Sequence, residues 1–372
     1  MRRALALAVG LCLAAGSAWS SEPLRIGLMA PLTGSWASEG QEMKRILDLL
    51  AKGVNDRGGL LGRQVEIVAE DDGGDPRTAS LAAQRLSTRG VVAVVGTYGS
   101  SITEASQTIL DEAEIVQIAN GSTAVRLTEK GLKYFLRTCP RDDEQGRVAA
   151  QTLRARGFSK VAILHDNTSY SKGLAEEARG LLGQAGAAVV FFDAITPGER
   201  DYTAVLTRLK TAGPDAVFFT GYYPEAGLLL RQKKEMGWGV PFLGGDATNN
   251  PDLVKIAGTA AAEGFLFLSP PVPQDLPFER AKEFLSSYRA AYGSAPGSIW
   301  AVLAGDGFLS VVAGIEGAKS TEAAAVAAYL KNDLKDFSGL TGTIAFDEKG
   351  DRVGEVYKVY RVDASGGFVL QP

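Results

Sequence analysis

The chain has 372 residues, 45% hydrophobic and 22% charged, with a formal net charge of −4. These are globular proportions, which exclude a disordered or fibrous chain, and the acidic balance argues against nucleic-acid binding, which usually shows a basic patch. One histidine, His165, and two cysteines, Cys12 and Cys139, are too few for a His/Cys metal centre, which leaves only carboxylate metal sites open; the expectation is no metal and no cofactor.

Met1–Ser20 reads as a secretory signal peptide: Arg2 and Arg3, an uncharged apolar run from Ala4 to Ala15, then small residues with Ala18 and Ser20 before a cut near Ser21. The run is too short for a bilayer core needing about 20 apolar residues. Leu11, where a small residue would precede a lipidated Cys12, disfavours a lipid anchor. Processing leaves Cys139 alone, so no disulfide can form within the mature chain, and it reads as a small buried hydrophobe. A periplasmic location is the expectation.

The mature chain alternates strands and helices. Leu24–Met29 reads as a strand, Glu42–Val54 as a helix, Gln64–Ala69 as a strand and Thr78–Ser87 as a helix. Val91–Val95 is wholly apolar, as for a strand buried on both faces. The helix Ser101–Ala113 and the strand Ile115–Ile118 follow. A second series begins after Pro140: Gln145–Arg156, Val161–Leu164, Gly173–Leu182, Val189–Phe192, Tyr202–Thr211, Ala216–Thr220, Pro224–Met236 and Phe242–Leu243. Such alternation implies right-handed crossovers and a parallel sheet, here twice. Long helical patterns at Phe278–Tyr292, Ile299–Ile315 and Glu322–Leu330 come next, then strands at Gly342–Phe346 and Val356–Val362. The expected fold is α/β, two Rossmann-like lobes joined by a three-crossing hinge. Lobe 1 takes 21–140 and 270–346, lobe 2 takes 141–269 and 347–372.

Motifs for chemistry are scarce. A P-loop, a G-x-G-x-x-G fingerprint and a G-x-S-x-G elbow are all absent. His165 ends a strand beside Asp166, where α/β proteins place functional groups, and one histidine without an elbow leaves a hydrolase as the minor reading. The pairs Asp71-Asp72 and Asp142-Asp143 read as solvated loop charges or helix starts. The strongest local signal is Gly96-Thr97-Tyr98-Gly99-Ser100-Ser101, between a strand and a helix. Amide groups and a dipole at a helix N-terminus attract an anion, and Ser100 adds a hydroxyl. Asn120-Gly121-Ser122-Thr123 repeats the pattern after the next strand. The pair fits a bound carboxylate or phosphate, and equally two well-capped helices.

Further stretches accompany these turns: Ile26–Gly34, Val54–Gly62, Asp71-Asp72 before Asp75-Pro76, Leu164-His165-Asp166 with Tyr170, and Gly221-Tyr222-Tyr223-Pro224-Glu225. Together they make the chain resemble, from about Leu24 to Val362, the periplasmic leucine/isoleucine/valine-binding protein family, solute receptors of ABC importers with the type I periplasmic binding fold. The resemblance implies a non-enzymatic receptor that closes on an amino acid, branched-chain or otherwise apolar, and delivers it to an inner-membrane permease; a monomer is the default. It implies that Ser100 and Thr123 hold the carboxylate, that Gly121 offers a carbonyl to the ammonium, that Tyr170 and Tyr222 cover the ligand, and that Asp246 replaces a glutamate facing the ammonium. Tyr98 stands where a smaller aliphatic residue is usual. Glu39 and Ser298 stand where aromatic pocket residues are expected, so Glu39 either lines the pocket or points to solvent. Trp36 either stacks on ligand or plugs its own lobe. Tyr222 and Tyr223 could instead pack over a helix, and Asp246 could be an N-cap or turn residue. Gly74 and Gly99 occupy the places of the family prototype's cysteine pair. An amide, urea or aromatic carboxylate ligand, or a sensor partner, stays open, because fold does not fix ligand.

Overall fold

The computed structural model describes residues 22–354 and 356–372; the expected signal peptide lies outside them. Two sheets organise the chain. The first contains β1 (Leu24–Ala30), β2 (Val65–Asp71), β3 (Val91–Val95), β4 (Val116–Ala119) and β5 (Phe135–Arg137), in the order β2-β1-β3-β4-β5 with every pairing parallel. The second begins with β6 (Lys160–His165), β7 (Ala188–Ala194), β8 (Ala216–Phe219), β9 (Phe242–Gly244) and β10 (Leu266–Ser269), ordered β7-β6-β8-β9-β10 and also parallel. The same strand order therefore occurs twice. Leu24, Ile26 and Leu28 of β1, and Val161, Ile163 and Leu164 of β6, are fully buried, because helices cover both faces of each sheet.

The crossover helices are α1 (Ala37–Asp56), α2 (Pro76–Ser87) and α3 (Ser100–Glu112) on the first sheet. On the second they are α4 (Asp142–Ala155), α5 (Ser169–Gln184), α6 (Thr203–Ala212), α7 (Tyr223–Glu235), α8 (Asp252–Ala257) and α9 (Thr259–Ala262). After β10 come α10 (Glu279–Tyr292), α11 (Ile299–Ala318) and α12 (Ala323–Asn332). Helix α11 packs on α1, β3 and β4, and Tyr292 of α10 donates to the carbonyl of Arg45 in α1 at 3.0 Å, so these helices return to the first sheet. Residues of α11 are buried on nearly every side, which accounts for its long apolar run: it is a core helix long and apolar enough to pass for a membrane span.

A short hairpin, β11 (Phe337–Ser338) with β12 (Thr343–Ile344), precedes the last crossing. The strands β13 (Lys358–Val362) and β14 (Phe368–Leu370) then join the second sheet antiparallel beside β10. The chain thus passes between the sheets after β5, after β10 and before β13.

Several elements differ from the sequence expectation. Helix α1 starts at Ala37, five residues before the expected Glu42, because Trp36 at its N-cap carries no capping side chain that would mark the start. The strand expected over Gly342–Phe346 keeps only Thr343–Ile344 in a ladder, with Phe346 bridging Arg352. The short elements β5, α8, α9 and β14 carry too few periods to be recognised from sequence.

Candidate functional site

In open α/β sheets ligands bind at the C-terminal strand ends where the strand order reverses. Both sheets reverse at equivalent places, between β1 and β3 and between β6 and β8. The loops after β1, β3 and β4 meet those after β6, β8 and β9, and every residue expected at the site lies on them or beside them.

The first wall is built of hydroxyls and amides. Ser100 opens α3 and is fully buried; its Oγ accepts from the Ala124 N–H at 3.1 Å, joining the loop after β3 to the loop after β4. A chain of hydroxyls reinforces this, Thr97 to Thr103 at 2.7 Å and Thr103 to Ser122 at 2.7 Å. Gly121 donates to the Thr97 carbonyl at 3.3 Å. Beneath, the buried Arg137 donates to the carbonyls of Ser122 at 3.1 Å and Ala124 at 2.8 Å, with its charge met by Asp351 at 2.5 Å. Sequence inspection missed Arg137 and Asp351, whose pairing spans the first and third crossings. Thr123 is 1% exposed, and among the described residues neither its Oγ1 nor the hydroxyl of buried Tyr98 has a hydrogen-bond partner. Unpartnered buried polar atoms are rare and call for an explanation.

The second wall is acidic. Asp246 opens the turn after β9 and is 1% exposed. Its Oδ2 accepts from the Tyr357 hydroxyl at 2.5 Å, and its N–H donates to Gln145 Oε1 at 2.8 Å. The N-cap alternative for Asp246 fails: Asn250 Oδ1, not Asp246, accepts the Asp252 N–H at 2.7 Å ahead of α8. Burial pushes the Asp246 carboxyl up to about 6, while the bonds from Tyr357, Tyr170 and Gln145 restrain the rise. Tyr170 approaches Gln145 Oε1 at 3.4 Å and accepts from the Ala247 N–H at 3.4 Å.

The same wall holds Asp142, which the sequence reading treated as a solvated charge or a helix start. It is the first residue of α4, but it is 2% exposed, so the solvated reading is corrected. Its Oδ1 accepts from Gln145 Nε2 at 3.0 Å; its Oδ2 has no partner. The Thr123 hydroxyl lies beside this carboxylate without meeting it in hydrogen-bond geometry. Burial raises the Asp142 carboxyl well above the usual carboxylate range, and the neighbouring Asp246 charge adds to the rise. Asp72 of the other acid pair is also buried rather than solvated, and burial pushes it up to about 7.

Aromatic rings fill the space between the walls. Tyr222, at the N-cap of α7, faces Trp36 at 4.2 Å, Tyr170 at 5.4 Å and Tyr98 at 5.9 Å between ring centroids. Tyr222 therefore does more than cover a helix, and Trp36 crosses to the opposite wall rather than plugging only its own lobe. A Cβ on Gly74 would lie 2.8 Å, and one on Gly99 3.0 Å, from the Trp36 ring. The two glycines make room for the indole where the prototype of the resembled family has its cysteine pair. A cavity of about 210 Å³ opens beside Trp36 and Tyr222, lined also by Gly74, Asp166 and Glu225.

Glu39 corrects another expectation. Because α1 starts early, its side chain turns inward and is fully buried, so the solvent-pointing reading falls. It accepts from the Ser298 hydroxyl and from Asn250 Nδ2 at 2.6 Å, joining α1 and the start of α11 to the loop before α8. Burial pushes its carboxyl up to about 8, against the lowering effect of Ser298 and Asn250. Tyr223 links the same walls, donating to the Ser35 carbonyl at 2.9 Å and sharing a 3.1 Å bond with Ser38. Across the cleft, the Ser169 N–H donates to Ser101 Oγ at 3.0 Å.

His165 lies apart from these groups. Its Nδ1 accepts from the Asn167 N–H at 3.1 Å and its ring packs on Phe192, the structural role expected of a lone strand-end histidine. Burial pushes the Cys139 thiol up to about 12, which suits an inert side chain. Among the described residues no cluster of three or more His, Cys, Asp or Glu could hold a metal.

A profile of periplasmic binding proteins matches residues 23–367. The chain belongs to the periplasmic binding protein family. Among its relatives, the Leu/Ile/Val-binding protein BraC3 of Rhizobium johnstonii is 34% identical over 342 residues, covering 92% of each chain. The leucine-binding protein LivK of Thermotoga maritima superposes with a TM-score of 0.86 at 27% identity, covering 94% of this chain and 98% of its own. The branched-chain amino-acid transporter substrate-binding protein LivJ of Streptococcus pneumoniae, solved with isoleucine, gives 0.85 at 29% identity and covers 94% and 100%. In this periplasmic binding protein, the two walls form the cleft between the lobes of a type I fold.

Proposed function

We propose that this periplasmic binding protein is the receptor of an ABC importer, that it captures an amino acid, branched-chain or otherwise apolar, between two closing lobes, and that it hands it to an inner-membrane permease. The observation that carries the reading is the opposition of the walls: buried hydroxyls and amides around Ser100 and Thr123 face buried carboxylates at Asp246 and Asp142. A zwitterion leaving water needs donors at one end and acceptors at the other, because an unpaired buried charge is costly. Trp36, Tyr98, Tyr170 and Tyr222 supply apolar surface for the remainder.

In this reading Ser100 and the Thr123 N–H hold the carboxylate. The Gly121 carbonyl, the Thr123 hydroxyl and Asp246 hold the ammonium, and Tyr170 and Tyr222 close over the ligand. Lobe 1 comprises 21–140 with 270–346 and lobe 2 comprises 141–269 with 347–372. Tyr170, Tyr222 and Asp246 belong to lobe 2, so their contacts form only on closure and let ligand shift an open–closed equilibrium. The protein acts in the periplasm as a monomer and catalyses nothing, in keeping with the structural role of His165. The Leu/Ile/Val names of the relatives favour an apolar amino acid.

The test is a thermal-shift screen of the chain from Ser21 onward, unfolded and refolded to strip carried-over ligand, against the twenty amino acids, amides, urea and aromatic acids. A ligand at 100 times its Kd adds about 2.7 kcal/mol, several degrees of melting temperature. A shift with leucine, isoleucine, valine or another apolar amino acid is expected. Shifts only with amides, urea or aromatic acids overturn the substrate, and no shift at all overturns the receptor reading.

A further inference from the structure

The second wall contains one carboxylate more than a single ammonium requires. Gln145 bridges the two: its Nε2 donates to Asp142 Oδ1 at 3.0 Å, and its Oε1 accepts the Asp246 N–H at 2.8 Å. Tyr357 closes the circuit, 3.2 Å from Gln145 Nε2 and donating to Asp246 Oδ2 at 2.5 Å. The components lie on α4, the turn after β9 and the segment before β13, all associated with the second sheet, so the network does not need the cleft to be shut.

Among the described residues, the cations that face the pair are each already held by another carboxylate. Arg137, the cation that faces Asp142 from β5, is held by Asp351. On α4, Asp143 adds negative charge and is itself held by Arg141. Arg126, from the turn after β4, is held by Glu104. The remaining groups facing the pair are the phenols of Tyr98, Tyr170, Tyr222 and Tyr357 and the Cys139 thiol, all neutral near pH 7. Two buried carboxylates in that setting do not both ionise. Yet Asp142 Oδ2 and Thr123 Oγ1 lack partners on the side where the first wall meets the second.

We propose that Asp142 is a second carboxylate facing the ligand's ammonium, and that Asp142 and Asp246 hold one proton between them which the arriving ammonium displaces to solvent. This rests on the reading of the cleft as an amino-acid site. The ammonium supplies the positive charge that the proton supplied before, so no bond other than the carboxyl O–H breaks. Burial raises both carboxyls, so the shared proton is lost only over a pH range well above the usual carboxylate one. Below that range the ligand must expel the proton, so affinity rises with pH and then levels off.

The test is calorimetric titration of the refolded chain with L-leucine at pH 6, in phosphate and in imidazole, two buffers of different ionisation enthalpy. The expected result is an apparent enthalpy that differs between the buffers by the equivalent of about half to one proton released per leucine. The Kd should tighten by up to about tenfold per pH unit between pH 5 and 6.5. Asp142→Asn should still bind L-leucine, more weakly, with a smaller buffer difference than the parent. Equal enthalpies in both buffers with a Kd flat from pH 5 to 7 overturn the proposal while leaving the amino-acid site intact. Binding of none of the twenty amino acids overturns that site and this proposal together. If Asp142→Asn does not fold, the buffer and pH dependence of the parent decides the matter.

Discussion

The two walls of the cleft are built in opposite ways. The first is local: the turn Gly96–Ser101 that opens α3 and the loop Asn120–Thr123 after β4, which leads into no α-helix, lie side by side because β3 and β4 are neighbours in the sheet. The second is assembled from four separated segments that bring Asp142 with Gln145, Tyr170, Asp246 and Tyr357 into one hydrogen-bonded network. Loop chemistry suffices for a wall of amides and hydroxyls, whereas a buried acid wall needs supports from distant parts of the chain to keep its charges tolerable.

Substitutions can break each wall separately. Asp246→Asn strikes the acid wall and should cost roughly 3 kcal/mol or more of amino-acid binding, as for removing one partner of a buried charge pair. That is above a hundredfold in Kd by calorimetry; unchanged affinity would remove Asp246 from the site. Ser100→Ala strikes the other wall, removing the proposed bond to the ligand carboxylate and the acceptor of the Ala124 N–H. A hydrogen bond to a charged group contributes about 1.5–3 kcal/mol, so a Kd ten- to a hundredfold weaker is expected. Gly99→Ala pushes a methyl to 3.0 Å from the Trp36 ring. Overpacking of that kind costs about 1–3 kcal/mol, read as a lower melting temperature, and the simultaneous change Trp36→Leu should recover part of it.

Glu39 gives an effect whose sign identifies its cause. Its carboxyl is raised from 4.5 to about 8 by burial, so between those values the folded protein holds a proton that the unfolded chain has lost. The stabilising contribution is complete below about 4.5 and declines as pH rises toward 8. Glu39→Gln, neutral at every pH, should flatten the fall in melting temperature from pH 5 to pH 8, with its advantage over the parent greatest at pH 8. Parallel curves for the two proteins would show that Glu39 is ionised in its bonds to Ser298 and Asn250.

What the sequence made legible follows the same division. Alternating strands and helices were readable because each buried strand is a continuous apolar run, such as Val91–Val95 and Val161–Leu164. The first wall was readable as paired Gly/Ser/Thr turns. Asp142 was not, because an acid in the first turn of a helix is ordinarily solvated and favourable to the dipole; only the packing of Thr123 and Gln145 around it makes it a cleft residue. Glu39 stayed between two readings for a local reason, since without a capping side chain at Trp36 nothing marks the first turn of α1. Tyr357 could not have been chosen from its sequence neighbours, because its role is set by a bond to Asp246, 111 positions away.

The central claim is that both ends of a zwitterion are held, one by each wall. Its most direct test is a calorimetric comparison of L-leucine with 4-methylpentanoate, the same carbon skeleton and carboxylate without the ammonium, on the refolded chain. The account predicts binding of L-leucine and a loss of at least a hundredfold for 4-methylpentanoate, because Asp246 and Asp142 would then face no cation. Equal binding of the two would contradict it and make the cleft a carboxylate site in which the acid wall takes no part.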